Sequence, residues 1–180
     1  MVDAKVAKRY ARALFLTCEE KKRLDPVSQD LIALGQCITD SEDLQLFIRN
    51  PIFNKEERGQ LVRNVFEKDI QPEVLTFLLF LIDKNRLNLI GDIIDIFHQM
   101  YLLHENIQEV HLTSEREMDA GLLQGLLNKL SAKSGKKIQS HLMTDTDLLG
   151  GFKLRMGDVV YDASLKTQLR RFQESIISTV

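Results

Sequence analysis

The sequence has no tryptophan, only two cysteines and three prolines, and a net charge of only −2 over 180 residues. Cys18 and Cys37 form no CxxC pair, which indicates a reducing compartment and no disulfide framework. The near-neutral charge gives no reason to expect nucleic acid or acidic lipid as the main partner. The longest apolar run, residues 74–82, is interrupted by Thr76 and is far shorter than the ~20 residues of a membrane span. Any membrane association is therefore expected to be indirect.

Sequence motifs typical of catalytic, metal-binding or cofactor-binding sites are also scarce. The four histidines show no metal-ligand spacing. Residues 134–137 (SGKK) resemble part of a phosphate-binding loop, but Leu130 and Lys137 stand where that motif needs glycine and serine or threonine. No local pattern indicates a Ser-His-Asp or Cys-His set, although such residues can be scattered in sequence. We predict no catalytic residue, no metal site and no cofactor, and an enzyme with a scattered site remains an open alternative.

Helical periodicity runs from the N-terminus to about residue 105. Helix starts are marked by Asp25-Pro26, Ser41, Asn54 and Pro72, and a break by Asn50-Pro51. Six helices with short connections favour an antiparallel bundle over residues 1–105. Apolar stripes are predicted on the first and fourth helices, among others. The first helix carries Val6, Tyr10, Ala13, Leu14 and Thr17, and the fourth turns Leu61, Val65 and Phe66 inward.

Strand periodicity replaces helical periodicity near Asn106. Residues 107–112 alternate, and residues 137–144 form a second predicted strand. Between them, Ser114 and Glu117 fit a capping box that opens a helix closed by Gly135. The leucines predicted to face inward on that helix are Leu122, Leu123, Leu126, Leu127 and Leu130. The sequence therefore predicts a small α/β domain with a mixed sheet over residues 106–180, and an α+β protein overall.

The last third of this domain is the most informative segment. Phe152, Leu154 and Met156 alternate with basic residues, as in a half-buried strand. Gly157-Asp158 is predicted to form a tight turn in which Gly157 takes a positive φ, and residues 159–161 return as a second strand. Asp162 and Ser164 then offer caps to a final amphipathic helix. The apolar positions predicted for that helix are Leu165, Leu169, Phe172 and Ile176.

The fifth helix carries more apolar residues than one buried face requires. Besides two apolar stripes it has a third, formed by Thr76, Leu79, Phe80 and Asp83, which is apolar in its middle. One interpretation is a docking groove that uses the surplus apolar surface. The other is a central helix wrapped by the remaining five. The residues themselves leave both interpretations open.

Three segments in order resemble the delta subunit of F-type ATP synthases, whose mitochondrial relative is the oligomycin-sensitivity-conferring protein. They are AKRYARALF at residues 7–15, KNRLNLIGDIIDIFHQ at residues 84–99 and GGFKLRMGDVVYDASLKTQL at residues 150–169. The resemblance implies a non-catalytic peripheral-stalk (stator) subunit that links the catalytic head to the membrane-anchored b-subunit stalk and resists rotor torque. It also implies a peripheral location on the cytoplasmic face of a bacterial inner membrane. The N-terminus lacks the apolar core of a signal peptide, and Asp3 argues against a transit peptide.

The resemblance further implies how the partners bind. The N-terminal bundle is expected to hold an N-terminal helix of the alpha subunits in a groove between its first and fifth helices, and the C-terminal domain to hold the b-subunit stalk. Matching positions are Tyr10 and Ala13 on the first helix and Thr76 and Phe80 on the fifth; the apolar patch adds Leu79. An alternative is a free-standing helical adaptor or an RNA-binding module, for which exposed aromatics and a basic stripe on the sheet would be diagnostic.

Overall fold

The protein is described by a computed structural model that covers residues 2–49, 54–116 and 118–177. The chain divides into two compact units, Met1–Tyr101 and Leu102–Val180. This division lies within the last turn of the sixth helix, a little before the change of periodicity near Asn106. The predicted break at Asn50-Pro51 and the predicted capping residue Glu117 lie outside the described residues.

The described residues of unit 1 form a bundle of six α-helices, as the sequence predicted. They are α1 (Val2–Glu20), α2 (Leu24–Asp40), α3 (Glu42–Arg49), α4 (Lys55–Phe66), α5 (Pro72–Asp83) and α6 (Ile90–His104), the last preceded by a 3₁₀ turn at Leu87–Leu89.

Helix starts in the bundle are fixed by local hydrogen bonds. The Asn54 side chain accepts a hydrogen bond from the Glu57 backbone N–H at 2.8 Å, and the Glu57 carboxylate accepts one from the Asn54 N–H at 3.1 Å. This reciprocal capping box starts α4. The Ser41 hydroxyl accepts from the Leu44 N–H at 3.3 Å at the start of α3, and Pro72 occupies the first turn of α5.

Helix α5 packs into the core of the bundle. Its buried residues are Val74, Phe77, Leu78, Leu81 and Ile82. Helix α1 packs through Ala7, Ala11, Leu14, Phe15 and Cys18. The stripe predicted for α1 was therefore only partly right. Leu14 is buried, whereas Ala13 and Thr17 are exposed, because the buried face is rotated by about one residue, or about 100°.

The inward face predicted for α4 was also only partly right, since Phe66 is partly buried and packs against the core. Leu61 is 40% exposed and Val65 is 59% exposed, whereas Val62 and Arg58 are buried. The Arg58 guanidinium donates to the carbonyls of Phe47 and Ile48 at 3.2 and 3.3 Å and lies 5.4 Å from the Phe47 ring centroid. It thereby satisfies carbonyl groups at the C-terminal end of α3. Burial lowers the pKa of Arg58 from its usual value. A charged residue thus occupies a position that an apolarity pattern assigns to the surface.

Unit 2 contains a four-stranded mixed sheet in the order β2-β1-β3-β4. The strands are β1 (Ile107–Ser114), β2 (Lys137–Thr144), β3 (Phe152–Met156) and β4 (Val159–Asp162). Strands β1 and β2 are parallel and are joined by helix α7 (Ala120–Ser134), whereas β3 pairs antiparallel with both β1 and β4. The fold class predicted from the sequence, a helical bundle followed by a small α/β unit with a mixed sheet, is confirmed.

The start of α7 differs from the prediction. Ser114 is the last residue of β1, where it pairs with Thr144 and Phe152, so it does not cap a helix. Asp119 is the N-cap instead, since its carboxylate accepts from the N–H groups of the first turn, and Gly135 ends the helix with φ +67° as predicted. Leu122, predicted to face inward, is 71% exposed because it lies beyond the edge of the small core under α7.

The β3–β4 hairpin leads into helix α8 (Leu165–Ile177) through close backbone contacts. Gly157 has φ +59°, the left-handed conformation expected for the turn. The Asp162 carboxylate accepts from the Ser164 N–H at 2.9 Å and the Thr167 hydroxyl at 3.0 Å. Hydrogen bonds from Ser164 and Thr167 lower the pKa of Asp162 to about 2. The helix forms as predicted, but Leu165 and Leu169 are 46% and 62% exposed, and the side chains of residues 172 and 176 are outside the description.

The two glycine turns of unit 2 differ in their surroundings, which leads to a stability prediction. Gly151 has φ +77°, and a Cβ atom there would overlap the Ala163 carbonyl oxygen, whereas a Cβ at Gly157 meets nothing within 4 Å. Gly157→Ala should cost about 1–2 kcal/mol, the usual penalty of the left-handed region. Gly151→Ala should cost more, because the backbone at the start of α8 must also move. Thermal unfolding of both variants, followed by circular dichroism, tests this order. Equal melting temperatures would show that the Ala163 contact does not constrain the fold.

Candidate docking sites

A surface groove lies between α1 and α5, with a volume of about 340 Å³. Its walls are mostly apolar in the middle and polar towards one end, where Lys21 and Glu73 meet. The residues that line it are Tyr10, Ala13, Leu14, Thr17, Lys21, Pro72, Glu73, Thr76, Phe77 and Phe80.

Two aromatic rings form one end of the groove. Tyr10 and Phe80 meet edge to face, with ring centroids 5.9 Å apart and planes at 73°. Phe80 is 43% exposed, although it belongs to a helix with five buried residues. The Lys84 ammonium lies 5.6 Å from the Phe80 centroid and 2.8 Å from the Asp83 carboxylate, which raises the pKa of Lys84. This end therefore offers a large apolar surface with a charged margin.

An ion pair lies at the other end of the groove. The Lys21 ammonium is 3.4 Å from the Glu73 carboxylate. The pKa of Glu73 is lowered, first by a hydrogen bond from backbone N–H in the first turn of α5 and then by Lys21. Between the two ends, Ala13 and two threonines present small side chains, and the Thr17 hydroxyl donates to the Ala13 carbonyl at 2.9 Å. The groove thus has an apolar middle with charged residues at both ends, and this arrangement suits an amphipathic helix.

The structure brings four of the five predicted groove residues together: Tyr10, Ala13, Thr76 and Phe80. Leu79 does not line the groove. Its Cδ2 atom lies 3.6 Å from the position that a Cβ would take at Gly59 of α4. Adjacent helical residues diverge by about 100°, so Leu79 and Phe80 face different neighbours.

Sequence reasoning missed Lys21, Glu73 and Phe77 as groove residues. Lys21 and Thr17 continue the line of Tyr10 and Leu14 at helical steps of three and four, a spacing that indicates a shared face. Phe77 and Glu73 precede Phe80 by three and seven residues on α5 in the same way. Extending both stripes along their helices would have found them.

A second group of exposed apolar residues lies on unit 2. A cleft at the N-terminal end of α7 is lined by Leu122, Leu149 and Leu165, together with the backbone of Gly150 and Gly151. Leu149 is 63% exposed and has φ +57°. Large apolar side chains that remain in water at several adjacent positions are typical of an interaction surface.

The sheet face opposite α7 has mixed charge. Lys153 lies 4.0 Å from the Asp162 carboxylate, and His141 lies 3.2 Å from Glu109. His111 and His141 stack with ring centroids 5.0 Å apart. Lys153 and His141 on this face are thus accompanied by carboxylates. Among the described residues no cluster of histidine, cysteine, aspartate or glutamate is arranged to hold a metal ion.

None of the described helices is both long enough and apolar enough to cross a bilayer.

Fold and surfaces define a class: an α+β protein in which a helical bundle carries a helix-sized apolar groove and a small sheet domain carries further exposed apolar surface. The sequence profile of the ATP synthase delta (OSCP) subunit family matches residues 6–176. The chain belongs to that family.

Similar proteins match this chain over nearly its full length. The ATP synthase subunit delta of Carboxydothermus hydrogenoformans is 35% identical over 98% of this chain and 99% of its own. That of Fusobacterium nucleatum is 30% identical over 97% of this chain and 100% of its own. A chain in the cryo-EM structure of the Toxoplasma gondii mitochondrial ATP synthase hexamer shares the fold, with a TM-score of 0.72 at 22% identity, covering 95% of this chain and 97% of that one.

The two cysteines of the bundle should differ sharply in reactivity. Cys18 is fully buried, and burial, followed by the nearby Glu73 charge, raises the pKa of its thiol to about 11. The thiolate is the reactive form, so Cys18 should be protonated and shielded at neutral pH. Cys37 is exposed. Iodoacetamide followed by mass spectrometry should label Cys37 in the native protein, and Cys18 only after unfolding. Rapid native labelling of a Cys37→Ser variant would contradict the packing of α1.

Proposed function

We propose that this chain is the non-catalytic peripheral-stalk subunit of a proton-translocating F-type ATP synthase. In this role it links the catalytic head to the membrane-anchored b-subunit stalk and resists rotor torque while ATP is made on other subunits. Its place is peripheral, on the cytoplasmic face of a bacterial inner membrane. Family membership supports the assignment to the enzyme complex, and the two separate apolar surfaces support the linking role.

The α1–α5 groove is the observation that carries the proposal. A helix that lies in it would cover Phe80 and the Tyr10 ring and place its apolar stripe over Ala13. The Lys21–Glu73 ion pair and the Lys84 ammonium lie at opposite ends and favour a helix with polar termini. We assign this groove to the N-terminal helix of an alpha subunit. Binding of an amphipathic helix in a groove is a common mode of recognition.

The second contact is assigned to unit 2, residues 106–180 in the sequence-based division. The isolated chain leaves large apolar side chains of this unit exposed to water, namely those of Leu122, Leu149 and Leu165. Such area favours a permanent partner, and the b-subunit stalk is the partner that this role requires. With one partner on each unit, the chain acts as a mechanical link and not as a catalyst.

A free-standing adaptor or an RNA-binding module is less well supported. RNA-binding sheets use exposed aromatics together with a basic surface. Here the sheet face opposite α7 carries Glu109 and Asp162 beside its cations, and its stacked rings are the histidines His111 and His141. We therefore expect no nucleic-acid partner.

A single substitution tests the groove. Phe80→Asp removes a half-exposed ring and places a carboxylate in an apolar contact, which costs free energy unless that group is hydrogen-bonded. We expect the variant to stay folded and to bind an alpha-subunit N-terminal peptide at least about tenfold more weakly, equivalent to 1.4 kcal/mol. Isothermal titration calorimetry measures the change.

The matched control is Leu16→Asp. Leu16 is 46% exposed on α1 but does not line the groove, so its substitution should leave peptide affinity unchanged. Binding of the b-subunit should be unchanged in both variants. Wild-type affinity of Phe80→Asp would refute the groove, and unfolding of this variant would show that Phe80 belongs to the core.

A further inference from the structure

One edge of the sheet in unit 2 is a long strand with a free side. Strand β2 stands first in the order β2-β1-β3-β4, so among the described strands it pairs only with β1. All eight of its residues pair with β1 in one continuous register, without a bulge. The opposite edge is β4, which has only four residues. The long edge of this sheet therefore belongs to β2.

The backbone groups of β2 point alternately towards β1 and away from it. The Lys137 N–H donates to the Asn106 carbonyl at 3.0 Å, and just beyond the strand the Asp145 N–H donates to the Ser114 carbonyl at 2.8 Å. Both donors are odd-numbered, and in a regular strand every second residue bonds to the same neighbour. The even-numbered residues therefore direct their N–H and C=O groups to the outer edge. They are Ile138, Ser140, Leu142 and Thr144.

The outer edge of β2 lacks the features that usually protect a sheet edge. Natural edges are protected by proline, by bulges or by charged side chains, because unpaired backbone groups can otherwise bind another strand. Strand β2 contains no proline, and its only lysine is its first residue, Lys137. At the other end, Leu142 and Met143 are 54% and 61% exposed. Most of this edge is thus open to water and presents apolar side chains beside its free backbone groups.

The sequence of β2 is complementary to itself in the antiparallel direction. With Ser140 opposite Ser140 of a second copy, Ile138 of each copy lies opposite Leu142 of the other. All these residues direct their backbone groups outward, so each facing pair can exchange two N–H···O=C hydrogen bonds. Ile138 and Leu142 lie on the same face of the sheet, where directly opposite side chains touch. The pairing would therefore cover the half-exposed Leu142 twice, once in each copy.

Charge and packing favour this register over its neighbour. With Ser140 on the two-fold axis, Lys137 lies opposite Met143, so no two lysines face each other across the edge. A shift to the next register that keeps the hydrogen bonds would place His141 opposite itself and Leu142 opposite Ser140. That shift would lose both apolar pairs. The register centred on Ser140 is therefore the best match of this edge to itself.

We propose that β2 pairs antiparallel with β2 of a second copy of this chain, so that two four-stranded sheets form one continuous sheet across a two-fold axis at Ser140. The contact uses the edge opposite β4 and none of the residues that line the α1–α5 groove. One pair of strands buries less area than a standard interface of about 1,600 Å², so the association should be reversible and depend on concentration. The proposal concerns the free chain and does not depend on the proposed function.

Sedimentation velocity of the full-length chain, over concentrations up to the millimolar range, tests the association. We expect the wild type to shift from monomer to dimer as its concentration rises. Ser140→Pro removes one outward N–H and leaves the residues that bond to β1 unchanged. Because proline is tolerated on edge strands, this variant should stay folded and monomeric throughout. Ser140→Ala is the matched control: it keeps the N–H and should dimerise like the wild type.

Disulfide cross-linking tests the register. Exposed Cys37 is first replaced by serine, and buried Cys18 is retained. A Ser140→Cys substitution should then place two thiols on directly opposite residues, whose Cα atoms are about 5.5 Å apart in a hydrogen-bonded pair, within disulfide range. Air oxidation should give a covalent dimer on non-reducing electrophoresis. Gln139→Cys is the control, because residue 139 of the second copy lies two positions away along the strand, beyond disulfide reach.

Several results would overturn the proposal. A wild-type chain that stays monomeric at millimolar concentration would do so, and so would a Ser140→Pro variant that is folded and still dimerises. Equal cross-linking at residues 139 and 140 would exclude the register, and loss of the dimer in Phe80→Asp alone would place the contact in the groove. If Ser140→Pro unfolds unit 2 by circular dichroism, Leu142→Lys decides: a monomeric variant supports the pairing, and a dimeric one overturns it.

Discussion

The burial of α5 is the constraint on which the groove depends. Five apolar side chains of this helix are buried, including Val74 and Leu81, which are fully inaccessible. Each such side chain contributes about 1.5–3 kcal/mol relative to its exposed state. A rotation of α5 by one residue would expose several of them at once, so the helix is held in a single orientation. Phe80 and Thr76 therefore face outward because the other faces of α5 are buried in the core, and the groove is already formed in the isolated chain. The free energy of binding then does not have to order the site.

Much of the fold was predictable, because it depends on local signals. Periodicity identified six helices, and Asn54, Pro72 and Gly135 marked helix ends through their own hydrogen bonds or conformation. The errors arose where a distant contact decided the outcome. Arg58 turned inward because carbonyl groups of α3 needed a donor. Ser114 stayed in β1 because β2 and β3 pair with it on both sides. Neither contact can be read from the residues around the position concerned.

The same distinction holds for the candidate docking sites. Tyr10 and Phe80 were predicted correctly as neighbours, because each lies on the outward stripe of a helix whose inward stripe is clear. Leu79 was grouped with Phe80 for its apolarity, although packing against α4 gives it another neighbour. The apolar surface of unit 2 had no sequence signal of its own. A leucine of an amphipathic helix has the same pattern whether it packs within the chain or against a partner, and the exposure of Leu122 and Leu165 emerges only from the three-dimensional arrangement.

We propose that one chain holds two partners at once through separate units, and the formation of a ternary complex would test this proposal. Sedimentation velocity on a mixture of this chain, a soluble b-subunit fragment and the catalytic head carrying intact alpha-subunit N-termini measures whether the fragment travels with the head. We expect the fragment to co-sediment with the head only when the chain is present, and we expect binding of one partner to leave the affinity for the other unchanged. Competition between the fragment and the head for the chain would contradict it.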